Sequence, residues 1–323
     1  MTTLDRRQAL ALIGAATVAG CAPALQTGVM GDDPFEGGIG GTGIVGMMVG
    51  AGSVLINGLR VEVQDATRIV DNGGIGGTGA LVAGRAMTIV ARARRDRLEA
   101  QRIEVQDPLV GVLRGTRSAL SINGSPVTVE RGAIGGTLIG RRVAASGVWQ
   151  ADGSLRASLI RPAPDQPDSV SGTIIGGPAT GWRIGQTPVT PPRGGNLIAG
   201  QYGSLSGSFD GTSLMARALR LGRFRSGTSL SQLAVEGYLE PIDTAPGFRI
   251  AGLGHSFARQ LDLAPLAQTR AVFFGRYDGL FAARRAVPLP DAVGGRRSLL
   301  RPADGEVFAA ALSGSGARRI GNR

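Results

Sequence analysis

Val54-Leu55-Ile56-Asn57-Gly58-Leu59-Arg60-Val61-Glu62-Val63 reads as two short strands folded about an Asn-Gly turn, and the same phrase returns as Ala119-Leu120-Ser121-Ile122-Asn123-Gly124-Ser125-Pro126-Val127-Thr128-Val129. Asn-Gly between alternating apolar residues is the strongest short-range hairpin signal, because both central positions of a type I′ turn need positive φ. A looser copy is Trp182-Arg183-Ile184-Gly185-Gln186-Thr187-Pro188-Val189, and a divergent one is Phe248-Arg249-Ile250-Ala251-Gly252-Leu253.

A second phrase, Leu-x-Ala after a turn signal, also occurs four times. The copies are Asp96-Arg97-Leu98-Glu99-Ala100, Asp152-Gly153-Ser154-Leu155-Arg156-Ala157, Asp210-Gly211-Thr212-Ser213-Leu214-Met215-Ala216 and Asp278-Gly279-Leu280-Phe281-Ala282. Each predicts the corner of two antiparallel strands, and alternation before the first predicts an extended strand over 85–95. Opening strands are expected at Ile44–Val49, Leu109–Leu113, Val170–Ile175 and Ala234–Leu239. Five or six strands in each unit define an all-β chain of tandem OB-like barrels or compact sandwiches.

The expected divisions are a signal peptide at 1–20, a tether at 21–42, and repeats at 43–107, 108–164, 168–223 and 233–290. A C-terminal tail then covers 291–323. Pro162-Ala163-Pro164-Asp165-Gln166-Pro167-Asp168 reads as a stiff extended linker between the second and third units.

Composition removes several chemistries. The 323 residues include 53 Gly, one His, one Cys and 35 basic side chains, all of them Arg. Without Lys there is no P-loop, no kinase-type nucleotide grip and no lysine Schiff base. One Cys and one His fall short of a zinc set, and one Cys makes no disulfide within the chain. No cofactor is expected.

Arg6 and Arg7 precede an apolar run over 9–19 that is too short to span a bilayer. The run ends in Val18-Ala19-Gly20-Cys21, which resembles a bacterial lipobox; that resemblance implies cleavage before Cys21 and lipidation there. Arg6-Arg7 also resembles a twin-arginine export signal, with Sec export the alternative. Ala22 after the cysteine resembles the outer-membrane default of bacterial lipoproteins. Cleavage leaves a net charge of +10, and such a body is attracted to lipopolysaccharide phosphates and peptidoglycan carboxylates. Nucleic acid is a less available partner in that compartment.

The opening Gly and strand, the Ile-Asn-Gly hairpin and the Asp-Gly-x-Leu-x-Ala corner together resemble a family of exported bacterial lipoproteins. That family carries tandem small β-barrel-like repeats of a domain of unknown function. The likeness is good over 43–107 and 110–163, fair over 170–222 and weak over 233–290. It implies a fold and no catalytic residues, and OB-like barrels host many kinds of binding.

Four constellations bear on chemistry. Gly38-Ile39-Gly40-Gly41-Thr42-Gly43 and Gly74-Ile75-Gly76-Gly77-Thr78-Gly79 match the spaced glycines of a dinucleotide loop but lack a following helix, so a structural loop is the better reading. Gly254-His255-Ser256-Phe257-Ala258 resembles a nucleophile elbow, yet the sole His adjoins Ser256 and cannot serve as its base. Asp32, Asp33 and Glu36 form an acidic cluster without calcium-loop spacing.

Arg92, Arg94, Arg95 and Arg97 crowd the first corner and are the candidate anion-binding residues, set against a solvated edge that resists aggregation. Arg217, Arg220, Arg223 and Arg225 form a second cluster. The sequence therefore predicts a lipid-anchored, non-enzymatic binding or scaffolding module of the envelope. A polyanion binder and a hydrolase using Ser256 are the alternatives.

Overall fold

The computed structural model describes residues 41–50, 54–94, 97–129, 138–224, 228–242, 248–253, 269–278 and 281–289. Among them the chain is strand and turn, with one 3₁₀ turn at Thr78–Ala80 and no α-helix. The first module holds β1 (Gly41–Gly50), β2 (Val54–Ile56), β3 (Leu59–Glu62), β4 (Arg68–Asp71), β5 (Gly74–Ile75), β6 (Ala86–Arg94) and β7 (Arg97–Val105). β1 pairs with β2 and β6, β2 with β3, β3 in parallel with β7, and β7 with β6, so five strands close a ring. In β3, buried Leu59 and Val61 alternate with exposed Arg60, the two-residue period of a barrel wall.

The second module repeats this ring with β8 (Leu109–Thr116), β9 (Ala119–Ile122), β10 (Ser125–Val129), β11 (Arg142–Trp149) and β12 (Leu155–Pro162). The third repeats it with β13 (Asp168–Gly177), β14 (Gly181–Ile184), β15 (Thr187–Thr190), β16 (Tyr202–Phe209) and β17 (Leu214–Leu221). Closure removes the exposed sheet edges that a sandwich would have to protect. The fourth module has β18 (Leu230–Pro241), β19 (Phe248–Ile250), β20 (Arg270–Tyr277) and β21 (Phe281–Pro288), with β18 between β19 and β20 and β20 against β21. The stretch that holds the third strand in the other modules lies outside the described residues here.

Each corner is followed by a β-bulge, at Gln101, Ser158, Arg217 and Arg284, one residue beyond an inward-facing Ala. That register corrects the fourth corner. Its equivalent is Phe281-Ala282-Ala283 rather than Leu280-Phe281-Ala282, with Phe281 and Ala283 buried where Leu155 and Ala157 are buried in the second module. One residue of slip moves a side chain to the other face, so a sequence match on Leu-x-Ala alone picks the wrong frame.

The modules do not form a string. β1 runs parallel to β18, with Ile44 beside Ala234, and β8 pairs with β13, with Leu109 beside Val170. Opening strands therefore join in pairs, the first module's to the fourth's and the second's to the third's. One apolar cluster takes Met47 and Ala86 from the first module, Leu109 and Trp149 from the second, Ile184 and Leu205 from the third, and Tyr238 and Ala251 from the fourth.

The expected extended linker after Pro162 is instead a tight turn. Ala163 is buried and its N–H donates to Arg142 O at 3.1 Å, while the Gln166 N–H donates back to Ala163 O at 3.3 Å. Arg142 also pairs with Asp168, which draws the two ends together.

Candidate functional site

The hairpin asparagines do more than turn the chain. Asn57 and Asn123 take φ of 55° and 49°, and each turns its amide toward a paired set of opening strands. Asn57 Nδ2 donates to Val45 O at 2.8 Å and to Ala234 O at 3.0 Å, clipping the first module to the fourth. Asn123 Nδ2 donates to Val110 O at 2.8 Å and Ser169 O at 3.3 Å, clipping the second to the third. The amides approach so closely that a Cβ on Gly46 or Gly111 would collide with them, which is why each opening strand carries glycine there.

The third module has Gly185 in place of the asparagine, and the indole of Trp149 from the second module takes over the bond. Trp149 Nε1 donates to Ser171 O at 2.8 Å, the carbonyl that corresponds to Val45 O and Val110 O. A Cβ on Gly172, Gly185 or Gly252 would strike this ring, so one side chain of the second module fills space against both the third and the fourth.

Around Trp149 lies a cavity of about 30 Å³, lined from every module, by Met47, Val148, Ser171, Tyr202, Arg223 and Glu236 among others. Arg223 Nε donates to Thr88 Oγ1 at 2.8 Å, and its guanidinium sits 4.5 Å from the Tyr202 ring centroid, a cation–π contact. Loss of solvent pushes the Arg223 pKa down. Glu236 is buried with Arg270, Nη2 to Oε1 2.6 Å, and its Oε2 accepts the Met47 N–H at 2.7 Å.

Two polar clusters fasten the first module to its neighbours. Glu104 accepts from Arg220 Nη1 at 2.7 Å and Arg102 Nε at 2.8 Å, while Gln106 bonds Arg220, Tyr202 and Ser204. Burial works to raise the Glu104 pKa, but Arg220 and then Arg102 outweigh it and hold the group low. Asp107, 2 % exposed, meets Arg85 and Arg161 at 2.8 Å each and also bonds Asn72 and Ser146. Its burial penalty is likewise outweighed, by Arg85 and then Arg161, so its carboxyl titrates below the usual range.

The first arginine cluster stands at the tip of the β6–β7 hairpin. Arg92, Arg94 and Arg97 are exposed, with Arg94 3.3 Å from Glu99 and Arg97 3.3 Å from Glu62. Arg95 lies outside the described residues. The second cluster is not a surface patch: Arg220 and Arg223 turn into the contact between modules, Arg217 is exposed at its bulge, and Arg225 lies outside the described residues. A strand and its carboxylate partners, far apart in sequence, decide that division.

Gly74–Ile75 is the short strand β5, and the glycines after it lead into the three-residue 3₁₀ turn, so this run is a structural loop without a phosphate-binding helix. Arg6, Arg7, Cys21, Asp32, Asp33, Glu36, His255 and Ser256 lie outside the described residues. Among those described, no three His, Cys, Asp or Glu side chains gather to hold a metal.

Fold and junction together define a four-module OB-like assembly closed on itself. Comparison with protein-family models, curated proteins and solved structures gave no match.

Proposed function

We propose that the chain is a lipid-anchored cell-envelope protein, facing the periplasm from the outer membrane, that works as a non-enzymatic binding or scaffolding module. The observation that carries this is Val18-Ala19-Gly20-Cys21 at the end of an apolar run that follows Arg6-Arg7. The shape of the body supports the binding half. The closed five-strand rings present continuous walls rather than sheet edges, a form that suits contact through the outer surface. Metabolic palmitate labelling with membrane fractionation tests the anchor: label and membrane attachment should both vanish in Cys21→Ser. An unlabelled, soluble wild type would overturn it.

A second reading, recognition of an anionic envelope polymer, is favoured by the β6–β7 tip. Arg92, Arg94 and Arg97 gather there beside Glu62 and Glu99, three cationic side chains against two carboxylates. Co-sedimentation with lipopolysaccharide vesicles that falls steeply with salt supports it, and salt-independent or absent binding counts against it.

A further inference from the structure

The outer wall of the first module carries its charges in rows. Leu59 and Val61 of β3 face inward, so Arg60 and Glu62 lie on the outer side, and β6 exposes Arg92 and Arg94. Arg94 stands opposite Arg97 of β7, and the parallel register of Val61 with Leu98 sets Arg60 level with Arg97 on the other side. Three arginines on neighbouring strands therefore span about 10 Å at one end of the barrel. The next row holds Glu62, Glu99 and Arg92.

Like charges set directly opposite one another repel, so the register by itself disfavours the arginine row. Glu99 and Glu62 offset it along the diagonals, 3.3 Å from Arg94 and Arg97, while Arg60 and Arg92 make no ion pair among the described residues. With four guanidiniums against two carboxylates, this end is cationic in a form suited to phosphate, which a guanidinium holds by two parallel N–H bonds.

The same end receives the chain from its N-terminal side. Thr42 of β1 pairs with Ala91, and a Cβ on Gly41 would stand 3.1 Å from Ala91 O, so the start of β1 adjoins Arg92. The stretch from Cys21 to Gly41 reaches at most about 70 Å, which keeps an anchored body near its bilayer without orienting it.

We propose that Arg60, Arg92, Arg94 and Arg97 form a lipid-facing surface that binds the phosphates of anionic phospholipid headgroups in the bilayer that carries the anchor. This rests on the lipid-anchor reading and gives the cationic tip a specific partner. The row sets the first module's entry end against the membrane. Ile75, level with Glu104 through Val70 and so roughly 23 Å along β7 from Arg97, then points away from it.

The test uses the full chain with Cys21→Ser, so vesicle binding is read without the anchor and its failure is distinct from a failure of palmitate labelling. Co-sedimentation should appear with vesicles of phosphatidylethanolamine and phosphatidylglycerol, not with phosphatidylcholine alone, and should fall with salt. Arg60→Gln with Arg92→Gln should weaken it roughly thirtyfold, about fivefold for each charge. Arg114→Gln with Arg117→Gln, the same charge change on exposed residues of the second module, should weaken it far less. An environment-sensitive fluorophore on Ala93→Cys should shift to the blue on these vesicles, and one on Ile75→Cys should not. Absent binding to phosphatidylglycerol vesicles, binding to lipopolysaccharide alone, equal losses in the two double variants, or a blue shift at Ile75 rather than Ala93 would each overturn the proposal.

Discussion

Replacing Trp149 by Phe should loosen three modules at once. The substitution removes the Nε1–H and leaves the Ser171 carbonyl buried with its indole donor gone, which costs about 1–3 kcal/mol. The missing part of the indole vacates roughly 40 Å³ against Gly172, Gly185 and Gly252, worth about 1 kcal/mol at the usual cavity cost. A total loss of about 2–4 kcal/mol is expected, with Trp149→Ala costing more. Equilibrium urea unfolding followed by circular dichroism measures it, and intrinsic fluorescence in a Trp182→Phe background follows Trp149 in the reference protein. Because the indole touches the third and fourth modules from the second, the variant transition should also broaden, with a smaller apparent m value as the modules uncouple. A loss below about 1 kcal/mol with unchanged m would refute the assignment of Trp149 as the shared wedge.

Three further outcomes are expected. Asn57→Asp, which sets a carboxylate against the Val45 and Ala234 carbonyls, should cost about 3–5 kcal/mol in urea unfolding, whereas Asn57→Gly, which keeps the positive φ, should cost less. The depressed pKa values of Asp107 and Glu104 stabilise the fold above the ordinary carboxylate range, near pH 4, and that stability is lost as pH falls through the lowered values. A pH series of urea midpoints should therefore hold level down to about pH 4 and then drop, and Asp107→Asn should shrink the drop while lowering stability at pH 7 by about 3–5 kcal/mol, since Arg85 and Arg161 keep their charges. Changing Arg92, Arg94 and Arg97 together to Gln should shift urea stability by less than about 1 kcal/mol while cutting retention on heparin or lipopolysaccharide, which separates a binding tip from a structural one.

Local chemistry made much of the fold legible. Asn57-Gly58 and Asn123-Gly124 form the turns their sequence demands, and the opening strands fall where alternation places them. Long-range closure was not legible. The Met47 N–H reaches Glu236 across 189 positions, and nothing near either residue announces it. The asparagine amides read as turn formers because that role is local, while their second role depends on a strand from another module. Nothing local in the sequence singles out Trp149, although Gly185 in the third hairpin marks where an indole replaces an amide. Arg220 and Arg223 looked like surface charge because their partners, Glu104 and Thr88, come from the first module. The fourth corner slipped by one residue because Leu280 offered a Leu-x-Ala match beside the true frame at Phe281.

Closure of the chain through β1 and β18 is tested most directly by a disulfide between Thr42→Cys and Gln232→Cys, which are register partners, in a Cys21→Ser background. Paired strands bring Cα atoms within the range a disulfide spans, about 4.4–6.8 Å. Mild oxidation should give an intramolecular cross-link, seen as a faster non-reduced band that reverts with reductant, and the urea midpoint should rise. Only free thiols or intermolecular dimers after oxidation of the folded protein would contradict the four-module closure.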